Sequence, residues 1–179
     1  MKILENSENS YNINIIVGIL HFLLAIIIPF YGILFKKSWF DYIYILYTIL
    51  VVISWTFFNG ECMLTYYHKK QQNENYNAGE DSTDLTDMNS LFGSKEIVYY
   101  VITISIFLNA ISEYIVLQRN QFSIYLYTTL PLFHIIYTML LRIQTNLHKN
   151  ELFLFTQEIF KLYFSIAFIF IIYKFYKKM

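Results

Sequence analysis

Five stretches of this chain run for about 20 residues or more with few charges, at 13–35, 41–66, 97–117, 122–141 and 157–176. A bilayer core of roughly 30 Å is crossed by about 20 apolar residues in an α-helix, so each stretch is long enough to span. The other spanning solution, a closed β-barrel, alternates apolar and polar residues over strands of about ten residues. Here the runs 13–28 and 43–53 are almost continuously apolar. The expected fold class is therefore all-α, a polytopic membrane helix bundle of about five transmembrane helices. The expected organisation is an N-terminal polar segment at 1–12, transmembrane helices one and two within 13–66, a flexible acidic loop at 67–96, and helices three to five within 97–176.

The first apolar stretch reads as a retained span. A secretory leader has a basic start and a short apolar core, whereas MKILENSENSYN carries Glu5 and Glu8 against a single lysine. Only 15% of the residues are charged, against about 25% in a typical soluble domain, which disfavours soluble enzymes and disordered proteins. Lys+Arg and Asp+Glu are equal at 13 each, so there is no basic footprint for nucleic acid. Cys62 is the single cysteine, which excludes an intramolecular disulfide and a multi-cysteine zinc site. No Gly-rich phosphate loop, HExxH, GxSxG or kinase signature occurs, so none of the soluble catalytic templates can be placed.

Five spans put the termini on opposite faces. Face B holds the N-terminus, the 67–96 loop and the 142–156 loop; face A holds 36–40, 118–121 and the tail. Lysines and arginines are balanced between the faces, so the positive-inside rule does not orient the chain. No Asn-x-Ser/Thr sequon occurs, which leaves face B free to be cytosolic, and the N-terminus is assigned there. The 67–96 stretch, rich in Asn, Gln, Asp and Glu, has too little apolar surface to offset the entropy of ordering. It is expected as a flexible tether or connector with a turn of helix near 84–91, and it is the place where protein partners would bind.

Ionisable groups inside hydrocarbon are costly and face the bundle interior. At about 1.5 Å per residue, His21, Glu61 and His134 fall roughly 8–12 Å from face B, with Cys62 beside Glu61. Two imidazoles and a carboxylate in one layer can bind a divalent metal or relay protons. Each group can equally hydrogen-bond a backbone carbonyl or a tyrosine hydroxyl in a packed bundle. Cys62 reads as a buried packing residue or a palmitoylation site. His68, six residues on, points roughly 240° away around the helix, so that spacing implies no Cys–His dyad. Asn109 and Glu113 lie four apart on one helix face. Asn109 fits inter-helix hydrogen bonding or an ion path, and Glu113 is within reach of Arg119. Pro29 and Pro131 sit inside spans and can kink them.

The segment from His21 to His68 resembles a family of small multi-pass membrane proteins of unknown function. The resemblance is carried by His21-Phe22-Leu23 with Gly32, and by Trp55 with Cys62-Met63-Leu64-Thr65. The Glu61-Cys62-x-Leu64-Thr65 element is also similar to membrane proteins of large DNA viruses, in keeping with the abundance of Ile, Phe, Tyr, Asn and Lys, residues of AT-rich codons. Two positions depart from the pattern: His68 stands where a glutamate often follows, and Met63 where a proline does. The resemblance implies a fold type and no reaction. The sequence thus favours a structural or interaction protein of a cellular, host or viral membrane, with the lipid bilayer as its surroundings. A small channel or transporter using the His21/Glu61/His134 layer is the alternative, and a membrane metalloenzyme the third reading.

Overall fold

The computed structural model describes residues 2–82, 84–142 and 150–178. Among these the chain is all-α: α1 (Lys2–Leu34), α2 (Phe40–Phe57), α3 (Met63–Gln72), α4 (Thr86–Phe92), α5 (Lys95–Arg119), α6 (Ile124–Leu141) and α7 (Glu151–Lys178). Among the described residues four helices, α2, α5, α6 and α7, are long and apolar enough to cross a membrane, and Gly18–Leu34 is an apolar part of α1. Between 22% and 44% of the residues in the four spanning windows are buried within the bundle. Most of their apolar surface therefore points outward, as in Ile104, Phe107 and Ile111 of α5 and Ile166 and Ile169 of α7. Water does not tolerate apolar patches of that extent, so this surface suits a membrane-embedded protein.

Local signals set the helix boundaries. Ser94 and Ser123 cap α5 and α6, their hydroxyls accepting from the N–H groups of Ile97 and Leu126 at 3.4 Å, the usual satisfaction of orphan donors in a first turn. Gly93 ends α4 in the left-handed conformation, φ 65°, which a residue without Cβ adopts freely. α2 buries Tyr42, Ile45, Ile49, Val52 and Thr56, spaced three or four apart along one face. α7 meets that face with Phe160, Phe164, Ala167 and Ile171 at the same spacing. α1 packs along α5 and beneath α4, α5 packs on α6, and α1 and α2 scarcely touch.

Two close approaches seat α1. A Cβ on Gly32 would lie 2.4 Å from the Ser112 carbonyl oxygen, and one on Gly18 would lie 2.4 Å from the Asp87 carbonyl oxygen. Only glycine fits at either point, so α1 is notched onto α5 near face A and onto α4 near face B.

Lipid is as apolar as leucine, so spanning helices are held by packing and by inter-helix polar contacts. The strongest of these contacts ties the face-A ends together. Asp41, 1% exposed, accepts two bonds from the Arg119 guanidinium, at 2.8 and 2.5 Å, one from Asn120 at 2.5 Å and one from the Tyr31 hydroxyl at 2.9 Å. Arg119 also donates to the Gly32 carbonyl at 3.2 Å and to that of Phe35. Lys174 of α7 reaches the Gln121 carbonyl at 2.8 Å. One carboxylate thus joins α1, α2 and the α5 end.

Two expected boundaries are corrected. The second span was expected to run to residue 66, but α2 stops at Phe57. Asn59 and Gly60 take positive φ values of 51° and 88°, which turns the chain, and α3 starts anew at Met63. The 67–96 stretch, expected as a flexible loop, carries α3 to Gln72 and α4, with Lys69, Tyr76, Asp87 and Met88 buried. The physical reason is pairing. Glu61, fully buried, accepts from Lys69 at 2.8 Å and from the Tyr76 hydroxyl at 2.9 and 3.0 Å. The Gly79 N–H adds a bond at 3.2 Å, and Lys69 also donates to the Asp81 carbonyl at 2.5 Å. Residues that are polar in aggregate satisfy one another and fold into a cap over face B.

Removing one partner of a buried, bonded ion pair costs about 3–5 kcal/mol. Arg119→Met is expected to lower stability by that order, read as a fall in thermal unfolding temperature in detergent. The double variant Asp41→Asn/Arg119→Met recovers most of the loss.

Candidate active site

Beneath the cap, three elements bring a thiol, an imidazole and a carboxylate into one chain. Gly18 and His21 are three residues apart, on the same face of α1. Because Gly18 lets the α4 backbone press against α1, Asp87 reaches His21: its Oδ2 lies 2.8 Å from His21 Nδ1. The Phe22 and Phe92 rings, edge to face with centroids 4.9 Å apart, brace the same contact. The second oxygen of Asp87 accepts from the Thr65 hydroxyl at 3.2 Å. On the far side of the ring, His21 Nε2 lies 3.6 Å from Cys62 Sγ. Cys62 directly precedes α3, in extended backbone with φ −66° and ψ 132°. Its sulfur receives backbone hydrogen bonds from Leu64 and Thr65.

The protonation pattern follows from these partners. An ionised carboxylate only accepts, so Nδ1 carries the proton that Asp87 binds, and Nε2 is left to take the proton of the thiol. Burial pushes the Cys62 thiol up. The positive charge of His21, the hydrogen bond to its ring and the Thr65 and Leu64 N–H groups outweigh burial and hold the thiol below its ordinary value. Burial likewise pushes the Asp87 carboxyl up, and the bond from His21, the His21 charge and the bond from Thr65 hold it below the usual carboxylate range. Cys62 is half-buried, while Asp87 is fully buried. A nucleophile, a base and a group orienting the base, linked in that order, form the constellation that activates cysteine for attack on carbonyl carbon. Thiol–imidazole distances are commonly looser without substrate.

The thiol lines two cavities. One, of about 530 Å³, is rimmed at the cap by Asn89, Lys95, Glu96, Tyr99 and Arg142. The other, of about 380 Å³, lies between α1 and α2, walled by Leu24, Ala25 and Ile28 on one side and Tyr47, Val51 and Trp55 on the other. His21, Trp55, Cys62, Ile102 and Ile106 line both.

His21 and His134 both line the cavity of about 380 Å³ and Glu61 does not, and each of the three makes its hydrogen bonds in a different cluster. Because α2 ends at Phe57, Glu61 lies in the turn to α3 and is enclosed by Lys69 and Tyr76. His134 belongs to a separate cluster deeper in the bundle. The Tyr44 hydroxyl donates to Asn109 Oδ1 at 2.9 Å, Asn109 donates to Glu113 Oε1 at 3.1 Å, and His134 Nδ1 lies 2.9 Å from the same oxygen. Trp55 stands edge-on to His134. Among the described residues no group of three His, Cys, Asp or Glu side chains is arranged to hold a metal ion, so the metal layer expected from helix depth does not assemble. Glu113 faces this cluster, and Arg119 is taken by Asp41. Asn109 does bond across helices, to α2 and α6.

Sequence reasoning placed His21 and Cys62 at one depth but missed the contact between them, along with Asp87 and Thr65. Asp87 was absorbed into an acidic loop. The local signals were Gly18, three residues before His21, which marks a close backbone approach, and Thr65, three after Cys62, on the same side of a first helical turn.

No family model, curated protein or solved structure matches the chain. The electrostatics give a direct expectation. A thiol held below its ordinary value keeps its thiolate to lower pH than a free cysteine does, and the thiolate is lost as pH falls through the lowered value. Alkylation of Cys62 by iodoacetamide should therefore show a midpoint below the ordinary thiol value of about 8.5, and His21→Gln should move that midpoint upward.

Proposed function

We propose that this chain is an integral membrane protein that carries out acyl transfer or acyl hydrolysis through Cys62. The observation that carries the reading is the unbroken link Cys62 Sγ–His21 Nε2 and His21 Nδ1–Asp87 Oδ2, at 3.6 and 2.8 Å. The sequence had favoured a structural role, with transport through a His21/Glu61/His134 layer as the alternative. Those three residues sit in different clusters, and the thiol site takes their place as the chemistry-bearing feature.

The roles follow from the geometry. His21 Nε2 takes the thiol proton, and the thiolate attacks an acyl carbonyl carbon. A carbon–sulfur bond forms, the bond to the alcohol or thiol leaving group breaks, and His21 returns the proton to the leaving group. A second acceptor, water or a hydroxyl compound, then gives a proton to His21 and attacks the thioester. Departing Cys62 recovers that proton, and the site is restored. Asp87 fixes the ring tautomer and offsets the charge that the imidazole acquires, and Thr65 fixes Asp87.

The test uses the full chain in lipid nanodiscs with p-nitrophenyl acetate. The expected result is a hydroxylamine-labile acetyl group on Cys62, with release of p-nitrophenol that is abolished by Cys62→Ala. His21→Gln should slow release by about a hundredfold or more, the scale of a positioned base. Labelling at other residues, or a rate indifferent to His21→Gln, would contradict the proposal.

A further inference from the structure

Resting on the thiol reading above, we infer that the acyl donor is an amphiphile: a long-chain acyl thioester whose hydrocarbon tail lies in the cleft between α1 and α2, with its polar leaving group in the cap cavity. Three observations carry this. Cys62 and His21 line both cavities, so a carbonyl held against the sulfur has both within reach. The two cavities differ in chemistry. The cleft of about 380 Å³ is lined chiefly by apolar side chains, Leu24, Ile28, Val51 and Leu64 among them, with Asn109 and His134 also on its wall. The cap cavity of about 530 Å³ offers Ser82, Asn89, Lys95 and Arg142. Both volumes fall in the range of small-molecule sites, about 300–1,000 Å³.

The third observation is the route. α1 holds to α5 and α4, and α2 to α7, so the two helices flanking the cleft scarcely touch. A chain can enter sideways from lipid without parting a packed interface. Cys62 lies past the end of the spanning helix α2 at Phe57 and directly before α3, where hydrocarbon gives way to polar surroundings, the level at which the carbonyl of an acyl amphiphile sits.

A thioester donor also fits the exchange. The Cys62 thiolate attacks the carbonyl carbon, the new carbon–sulfur bond replaces the old one, and the departing thiolate takes the proton held on His21 Nε2. One thioester is consumed and one is formed, with no other co-reactant. Lys95 is paired with Asp84 at 3.0 Å and Glu96 also lines this cavity, so Arg142 is the cation that favours an anionic leaving group. Arg142 stacks on the Tyr99 ring, 4.3 Å from its centroid, and has no carboxylate salt-bridge partner among the described residues.

The experiment compares palmitoyl- and acetyl-coenzyme A as donors to the full chain in nanodiscs, reading acyl-Cys62 by intact mass before and after hydroxylamine. The expected result is palmitoyl incorporation at least about tenfold faster than acetyl, since each buried methylene adds to binding. Ala25→Trp and, separately, Val51→Trp fill the cleft from opposite walls, and each should lower the palmitoyl-to-acetyl ratio by about tenfold or more. Iodoacetamide labelling of Cys62 reports whether each variant keeps the site. Equal rates for the two donors, or a ratio unmoved in variants that keep the site, would overturn the inference while leaving thiol catalysis standing. If neither donor, nor p-nitrophenyl acetate, acylates Cys62, the thiol reading falls with it.

Discussion

The seating of α4 on α1 is the contact on which the face-B half of the molecule depends. Gly18 has no Cβ, so the Asp87 backbone comes within a distance that any side chain would forbid. That approach buries the Asp87 carboxylate completely. A buried carboxylate is costly unless it is paired and hydrogen-bonded, and His21, one turn along α1, together with Thr65 at the start of α3, supplies both needs. The same pairing orients the imidazole, and the orientation leaves Nε2 facing Cys62. Steric fit at a glycine thus leads through an electrostatic requirement to a chemical arrangement.

The rest of the fold holds this contact in place. At face A, Asp41 gathers Tyr31, Arg119 and Asn120 into one knot, fixing the ends of α1, α2 and α5. At face B, Glu61, Lys69 and Tyr76 fold the polar stretch into a cap. Between the two knots α1 leans on α5, and α2 on α7. This division leaves the cleft beside the thiol. The two cavities lined by Cys62 and His21 are the part of the bundle that holds this site.

The spans were legible in the sequence because they depend on composition over about 20 residues, which a single chain displays openly. The cap was not, because its order comes from pairs. Lys69 and Glu61 are eight residues apart, and His21 and Asp87 are 66 apart. Summed polarity over 67–96 gave the same value whether those charges met water or one another. The end of α2 was missed for a related reason: the apolar run continues past Phe57, and only the Asn59-Gly60 pair, with its left-handed backbone, marks the turn. That misplaced boundary put Glu61 inside a helix and produced the His21/Glu61/His134 layer. Of that layer's members, His21 carries over into the observed site, joined by Cys62, which the same depth estimate had placed nearby. Asn109, read as inter-helix glue, does bridge α2, α5 and α6.

The central claim is that Cys62, His21 and Asp87 act as one hydrogen-bonded unit. The most direct measurement is the ¹⁵N NMR spectrum of imidazole-labelled protein in nanodiscs, with the His21 signals assigned by their loss in His21→Gln. The account predicts that Cys62→Ser shifts the Nε2 signal of His21, and that Asp87→Asn shifts its Nδ1 signal and disturbs the tautomer. A His21 ring whose two nitrogen signals ignore both substitutions, while the protein remains folded, would contradict it.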